Sequence, residues 1–383
     1  MRQAYGALDA TRAGARVNTG GMLITVPAET KVAETRVALT PQGARTLIAD
    51  GHEVWVQEGA GAGSAMPDSE YAAAGARLVD RDAAWSGDLV LKVKEPVADE
   101  FGLLRDNVLF TFLHLAANEA LAHALIDAGT TALSYDTVQL ADGSLPLLAP
   151  MSAVAGRMAP IVGAYHLFSS VGGRGVLLAG APGAPKGEVV VIGAGVAGSH
   201  AVAESVELGA HVTVLDLARA RLDALAREHG DAVTAVTSTP EAIADALASA
   251  DLVIGAVLLP GRPAPKVVTH AMVEAMRPGS VLVDIAIDQG GCFEDSRPTT
   301  HAQPTFTVAG SVLYCVTNMP GAVGATATAA LTTATLPYIR ELAHGVGPAL
   351  EANPALARGL NVAERTLRHP AVAQAFPGLP AQV

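Results

Sequence analysis

Cysteine and positive charge are both scarce in this chain. Its 383 residues include two cysteines, Cys292 and Cys315, which form no CxxC motif and have no histidine at metal-ligand spacing. This argues against a disulfide scaffold and a zinc site, and it indicates a reducing, cytoplasmic compartment. Lysine and arginine number 25 against 37 aspartates and glutamates, a formal net charge of −12. Proteins that bind nucleic acids or anionic membranes need a positively charged surface, so we expect a small-molecule enzyme instead.

Apolar segments of the kind that target or anchor a protein are also missing. Residues 1–21 contain no signal-peptide core, and we expect them to be a disordered extension or to precede the natural start. Residues 319–339 are uncharged and long enough to cross a bilayer, but they consist mostly of Ala, Thr and Gly and contain two prolines. This composition favours a buried helix packed through small side chains.

Short β-rich runs alternate with helical stretches from Met22 to Leu148, and the alternation restarts near residue 187. This pattern is typical of α/β units with parallel sheets. Residues 149–170 predict a long connecting helix, with Pro160 as a possible kink, and residues from 340 onward predict a polar helical tail. We expect two Rossmann-like, doubly wound domains joined by long helices, with a cleft between them. The expected boundaries are 22–148 plus 325–383 for the substrate domain and 149–324 for the dinucleotide-binding domain.

A glycine-rich motif follows the buried-strand run at 189–192. Gly193, Gly195 and Gly198 have the GxGxxG spacing between this run and a predicted helix, the context that a dinucleotide-binding loop requires. The glycines permit a tight turn, a close approach of pyrophosphate and close helix–strand packing. The next strand ends in Asp216, placed to accept hydrogen bonds from ribose hydroxyls and to repel a 2′-phosphate. The motif predicts NAD as the cofactor, but many dehydrogenases and some NAD sensors share it.

Three residues of the first domain have the chemistry that a 2-keto or amino acid needs. Arg36 in PAETKVAETRVALTP and Lys94 in LVLKVKEP are cations for a carboxylate, and His114 in LFTFLHLAA is an acid–base group. Each also has a structural alternative. Arg36 could form an exposed salt bridge, Lys94 could belong to a solvated pair with Lys92, and His114 could be a hydrogen-bonded core histidine.

These segments occur in order with LPLLAPMSAVAGR, VVVIGAGVAG, DLVIGAVLLPG, VLVDIAIDQGGCFEDSRPTTH and YCVTNMPGAV. Together they resemble bacterial alanine dehydrogenases from Met22 to beyond Pro337. The resemblance implies reversible oxidative deamination of L-alanine to pyruvate and ammonia with NAD, in a homohexamer. It also implies that Arg36 and Lys94 bind the substrate, and that His114 and Asp288 are catalytic.

The resemblance further implies a set of NAD contacts in the loops that follow successive strands of the second domain. They are Ser152, Gly193, Gly195, Gly198, Asp216, Arg221, Ser238, Val257, Leu258, Ile285, Ala286, Ile287, Asp288, Val316, Thr317, Asn318 and Met319.

The chain departs from the family pattern mainly at 321–335, where GAVGATATAALTTAT replaces a pattern closer to GAVPxTSTxALTNAT. A magnesium site known in some relatives is not expected, because Gly345 occupies the position of its histidine. The rival functions are the NAD-binding subunit of a proton-pumping transhydrogenase, a dehydrogenase of another amino acid, and an inactive NAD sensor. Lys94 and His114 argue against the transhydrogenase, whose corresponding motifs lack them.

Overall fold

The structure, a computed structural model, describes residues 21–257 and 264–383. The expectation for the N-terminal extension therefore lies outside the described residues, apart from residue 21. The chain divides into two compact units, which consist of the residues up to Met151 with Gly321–Val383, and of Ser152–Pro320. In the described ranges, no helix is long and apolar enough to cross a membrane.

The first part of the first unit alternates strands and helices as expected. Its parallel strands are short, and several are buried on both faces, so they appear as continuous apolar runs such as LITV. Helix α1 begins at Pro41, where the Thr40 side chain accepts a hydrogen bond from the Gly43 amide. The strands are β1 (Leu23–Val26), β2 (Glu53–Gln57), β3 (Arg77–Val79), β4 (Leu89–Leu91), β5 (Val108–Thr111) and β6 (Thr131–Ser134), and the helices are α1 (Pro41–Ala49), α2 (Asp68–Ala73), α3 (Arg81–Ala84) and α4 (Glu119–Ala128).

Helix α5 (Ala149–His166) carries the chain from the first unit into the second and contains Pro160. It ends four residues before the predicted position, because Phe168 adopts an extended conformation ahead of a short 3-10 turn.

The second unit continues the alternation around its own sheet. In its described residues seven strands are arranged as β12-β13-β11-β10-β7-β8-β9, all parallel except the pair β12–β13, with apolar cores on both faces. The strands are β7 (Glu188–Ile192), β8 (His211–Asp216), β9 (Val233–Thr237), β10 (Leu252–Gly255), β11 (Val281–Asp284), β12 (Thr305–Val308) and β13 (Ser311–Tyr314), and the helices are α6 (Val196–Glu207), α7 (Arg219–His229), α8 (Pro240–Ser249) and α9 (His270–Glu274).

The C-terminal segment returns to the first unit and corrects one prediction. The tail was expected to be helical, but it contains two strands that extend the first sheet in antiparallel fashion beside β6. These strands have four and two residues, too short to show a period of two. The elements are α10 (Gly324–Ala343), α11 (Val346–Ala352), α12 (Pro354–Arg358), β14 (Leu360–Ala363), β15 (Thr366–Leu367) and α13 (Pro370–Ala375).

Helix α10 is buried on one face only. Thr328, Leu331 and Thr335 are buried, whereas Thr326 and Thr333 are exposed. The expected buried helix packed through small side chains therefore describes its inner face, whereas the small residues of its outer face are exposed.

The first sheet, in its described residues, has the order β15-β14-β6-β5-β4-β1-β2-β3. The prediction of two Rossmann-like α/β units with mainly parallel sheets is confirmed, with antiparallel strands at the edges. The order makes β1, β4 and β5 neighbours, and the loops that leave their carboxyl ends carry Arg36, Lys94 and His114. Ligands of parallel α/β sheets bind at this edge.

Candidate active site

Lys94 and His114 lie in the segments that follow two adjacent parallel strands. Each lies three residues beyond the end of its strand, and β4 pairs with β5 in the register Leu91↔Phe110. The Thr111 hydroxyl donates a hydrogen bond of 3.0 Å to the Lys94 carbonyl, which ties the two loops together. The sheet thus brings a buried lysine and a histidine to one edge.

His114 is not a core histidine. Its side chain is 39% exposed, and its backbone lies in the left-handed region with a φ of 46°. A non-glycine residue in this conformation is strained, and such strain is often found at functional sites. Its Nδ1 lies 3.8 Å from a carboxylate oxygen of Glu95, a distance that permits charge attraction but not a hydrogen bond.

Glu95 is a site residue that the sequence reasoning missed, although it stands directly beside Lys94. Its carboxylate pairs with Lys31 at 2.5 Å. Burial raises the pKa of Glu95, but the hydrogen bond from Lys31 and the charges of Lys94, Lys31 and His114 outweigh it and leave the pKa below its ordinary value. Glu95 is therefore a carboxylate near the histidine at neutral pH.

Arg36 lies on the loop between β1 and α1 and is 2% exposed. Its Nε and Nη2 donate to the two carboxylate oxygens of Glu34 at 2.6 and 2.5 Å, and Nη1 lies 3.0 Å from the Met151 sulfur. The expected alternative of an exposed salt bridge is thus half right: the salt bridge exists, but it is buried. A bidentate pair of this kind fixes the plane of a guanidinium.

Lys92 does not form a solvated pair with Lys94. It is fully buried, and its ammonium lies 3.1 Å from Glu29 and 3.2 Å from Glu100. Lys94 itself is 8% exposed. The two lysines of the KVKEP segment therefore differ in environment, and Lys92 has its own buried counterions.

The glycine loop of the second unit has the geometry that its motif predicts. Gly193 has a φ of 101°, and a Cβ there would lie 2.6 Å from the Ala256 carbonyl; a Cβ at Gly198 would collide with the Gly193 carbonyl. A Cβ at Gly195 would instead enter open space, because apart from its two chain neighbours no atom of the described residues lies within 4 Å. Gly195 precedes α6, and no side chain caps this helix. This cradle suits a phosphate group, which a helix N-terminus attracts.

Asp216 lies at the end of β8 beside this cradle. Its carboxylate accepts hydrogen bonds from the amides of Ala194 at 2.6 Å and Ala218 at 2.7 Å. The acid is thus held next to the glycine loop, where a dinucleotide-binding fold places the adenosine ribose.

Most of the remaining predicted NAD contacts lie in loops and 3-10 turns that follow the strands of the second unit, whereas Ser152 lies on α5 and Arg221 lies on α7 rather than in a loop. Leu258 lies outside the described residues. Four of the side chains, those of Ala286, Ile287, Val316 and Met319, are packed in the apolar core. At these positions only the backbone is suited to hydrogen-bond a cofactor. Arg221 and Asp288 are exposed, and Ser238, Val257, Ile285, Thr317 and Asn318 are partly buried.

Asp288 lies in a 3-10 turn that follows β11, and Asp284 organises this turn. The Asp284 carboxylate accepts hydrogen bonds from the amides of Ala286 and Cys292 at 3.0 and 2.9 Å and from the Ser296 hydroxyl at 2.5 Å. Sequence reasoning missed Asp284, although it stands four residues before Asp288. Its role is to hold the loop that presents Asp288.

Two family profiles match the chain. The profile described as "Alanine dehydrogenase/PNT, N-terminal domain" matches residues 25–155, and that described as "Alanine dehydrogenase/PNT, C-terminal domain" matches residues 159–370. The chain belongs to the alanine dehydrogenase/PNT family.

Relatives within the family are similar over nearly their full length. Alanine dehydrogenase from Mycobacterium tuberculosis is 55% identical over 90% of this chain and 94% of its own, and that from Bacillus subtilis is 50% identical over 92% and 94%. A solved L-alanine dehydrogenase superposes with a TM-score of 0.91 at 50% identity, covering 93% and 99% of the two chains. A transhydrogenase from Sinorhizobium meliloti superposes with a TM-score of 0.78 at 28% identity, covering 91% and 99%. The similarity therefore favours the dehydrogenase branch of the family.

One departure from the family pattern has a structural explanation. Gly324, which replaces a proline, packs so closely on Thr35 that a Cβ there would collide with the Thr35 hydroxyl and lie 2.9 Å from the Gly63 carbonyl. The Thr35 hydroxyl donates to the Gly321 carbonyl. The glycine thus lets the start of α10 approach the loop that carries Arg36.

Proposed function

We propose that this protein is an NAD-dependent L-alanine dehydrogenase, which interconverts L-alanine with pyruvate and ammonia. The main support is the arrangement of Arg36, Lys94 and His114 in loops from three neighbouring strands of the first unit. Supporting it are the alanine dehydrogenase names of relatives at 50–55% identity.

The residues of the second unit fit NAD. The open cradle at Gly195 suits the pyrophosphate, and the Asp216 carboxylate suits the ribose hydroxyls while repelling a 2′-phosphate. When bound, NAD+ supplies the hydride acceptor for Cα of L-alanine.

In the first unit, Arg36 and Lys94 would hold the substrate carboxylate and the oxygen at C2. The Glu34 carboxylate accepts hydrogen bonds from two nitrogens of the Arg36 guanidinium and fixes its orientation. The side chain of Arg36 therefore loses little conformational entropy when substrate binds. His114 would move the proton of the C2 oxygen when water adds and ammonia leaves, with the Glu95 carboxylate 3.8 Å from its Nδ1. Asp288, in the second unit, is proposed as the second catalytic residue.

The direct test offers the purified protein NADH, ammonium and a panel of 2-keto acids, and follows the near-ultraviolet absorbance of NADH. We expect oxidation with pyruvate. Oxidation with another 2-keto acid only would point to a different amino acid, and NADH binding without any oxidation would point to a transhydrogenase subunit or a sensor.

We expect His114→Ala to lower kcat by about 10²–10⁴-fold, the usual contribution of a general acid–base group. NADH affinity, measured by fluorescence, should remain unchanged, because the glycine loop lies in the second unit. His123→Ala is the matched control, since His123 is exposed on α4. Normal turnover in His114→Ala would remove His114 from the mechanism, and loss of NADH binding would assign it a structural role.

By resemblance alone we also propose a cytoplasmic homohexamer whose ligands are small molecules. Both cysteines are free and buried, in keeping with a reducing compartment.

A further inference from the structure

Residues 92–94 follow β4 and end at Lys94. They extend beyond the hydrogen-bonded ladder that joins β4 to β1. The register between β1 and β4 ends at Thr25↔Val90. On the other side, β5 continues to hold the segment, because the Lys92 amide donates to the Phe110 carbonyl and the Phe112 amide donates to the Val93 carbonyl, each at 3.2 Å. The β1 side therefore needs another acceptor for the amides of residues 93 and 94.

A side chain provides this acceptor. Glu29 lies on the loop after β1, and its side chain is 3% exposed. One carboxylate oxygen accepts from the Val93 amide at 2.6 Å, and the other accepts from the Lys94 amide at 3.3 Å and from the Lys92 ammonium at 3.1 Å. One carboxylate thus contacts three consecutive residues that end at Lys94.

A buried cation, the Lys92 ammonium, lies beside this carboxylate. Burial raises the pKa of Glu29 above its ordinary value, and the charge of Lys92 and the hydrogen bond from Val93 reduce this shift without cancelling it. Lys92 also contacts Glu100, whose second oxygen accepts from the Val97 amide at 3.0 Å. Buried ion pairs contribute little net stability compared with apolar packing, and this one lies against the backbone amides of Val93 and Lys94.

We propose that Glu29 is a positioning residue for substrate binding, which fixes the backbone of Lys94 and thereby the origin of its ammonium. The inference rests on the proposed role of Lys94 toward a 2-keto acid. Glutamine has one acceptor oxygen and one amide group. In either orientation of Glu29→Gln, that amide would face a backbone N–H donor.

The test compares Glu29→Gln with Glu100→Gln. Both variants remove a carboxylate from Lys92, but only the first removes the acceptor for the Lys94 amide. We expect Glu29→Gln to raise KM for pyruvate at least about tenfold, since misplacement by about 1 Å can cost about 10²-fold, while kcat changes less and the NADH dissociation constant does not change. Glu100→Gln should lower the melting temperature similarly and leave KM within about twofold of the wild type.

An equal rise of KM in both variants, or no rise in Glu29→Gln, would overturn the inference. If Glu29→Gln does not fold, Glu29→Asp retains the charge beside Lys92 but shortens the reach to the amides, and the same KM rise is expected; an unchanged KM there would also overturn it. Failure of the wild type to use pyruvate would refute the proposed function instead, and the comparison is then made with the 2-keto acid that it uses. If it uses none, the inference fails with the proposed function.

Discussion

His166 is a buried histidine at the end of α5. It is 8% exposed, and its ring contacts those of Tyr165 and Tyr314. Burial lowers the pKa of His166 below its ordinary value of 6.5, because an apolar environment disfavours the charged form. His166 therefore binds a proton less readily in the folded protein than in the unfolded chain.

The free energy of unfolding should consequently fall as the pH drops below 6.5, because the unfolded chain then binds more protons than the folded protein. We expect His166→Phe, which cannot bind a proton, to weaken this dependence. The melting temperature, measured across this pH, checks the prediction, with the exposed His123→Gln as control. An unchanged slope would mean that His166 takes up its proton in the folded protein. His52 and His369, whose pKa values burial also lowers, should preserve part of the effect.

The residues of the site were predictable to different degrees for a physical reason. The glycine loop has a positive φ at Gly193, and Gly198 packs on the Gly193 carbonyl five residues earlier, so a short motif was enough to predict this part of its conformation. The environment of Lys92 depends on Glu29, 63 residues earlier in the chain. No local pattern indicates such a partner, which is why a solvated pair of Lys92 and Lys94 remained an alternative and Glu29 was not considered.

Helix α10 supports the loop that carries Arg36. The Thr328 hydroxyl accepts from the Val37 amide at 3.1 Å and lies 2.7 Å from the Ser64 hydroxyl, which donates to the Thr35 carbonyl at 2.8 Å. A buried helix side chain therefore holds the backbone on both sides of Arg36.

Thr328→Val keeps the shape of the side chain but leaves the Val37 amide without this acceptor. We expect a loss of about 1–3 kcal/mol in the free energy of unfolding, measured with denaturant, and a higher KM for pyruvate. Thr326→Val, on the exposed face of α10, should change neither quantity. An effect of equal size in both variants would indicate helix propensity rather than the hydrogen bond.

At the scale of elements, long alternating segments were predictable and short ones were not. The α/β alternation of both units follows from apolar strand runs between amphipathic helices. Strand β14 is defined by its partner β6 and strand β15 by its partner β14, rather than by their own residues, so these short segments have no period from which to recognise them. The preference of LNVA for a sheet is set by tertiary contacts.

At the scale of the whole molecule, NAD binding by the second unit should increase the free energy of unfolding. A ligand that binds only the native state at about 100 times its dissociation constant adds about 2.7 kcal/mol. We expect NADH to raise the unfolding free energy of the second unit by this amount, and NADPH to have little effect, because Asp216 repels its 2′-phosphate. Asp216→Ser should allow NADPH to stabilise the protein, and the melting temperature measured with each cofactor checks both expectations. Equal stabilisation of the wild type by both cofactors would contradict the role of Asp216.

The return of the chain to the first sheet determines the order in which the protein can fold during synthesis. Residues 152–320 form a continuous unit, so this unit can fold as soon as it leaves the ribosome. The first unit begins to emerge earlier, but its sheet is complete only after α10, β14 and β15, which follow the second unit in the chain. Until then β6 presents an unpaired edge, the kind of surface on which nascent strands aggregate. The unit whose synthesis begins first is therefore the unit whose folding is completed second.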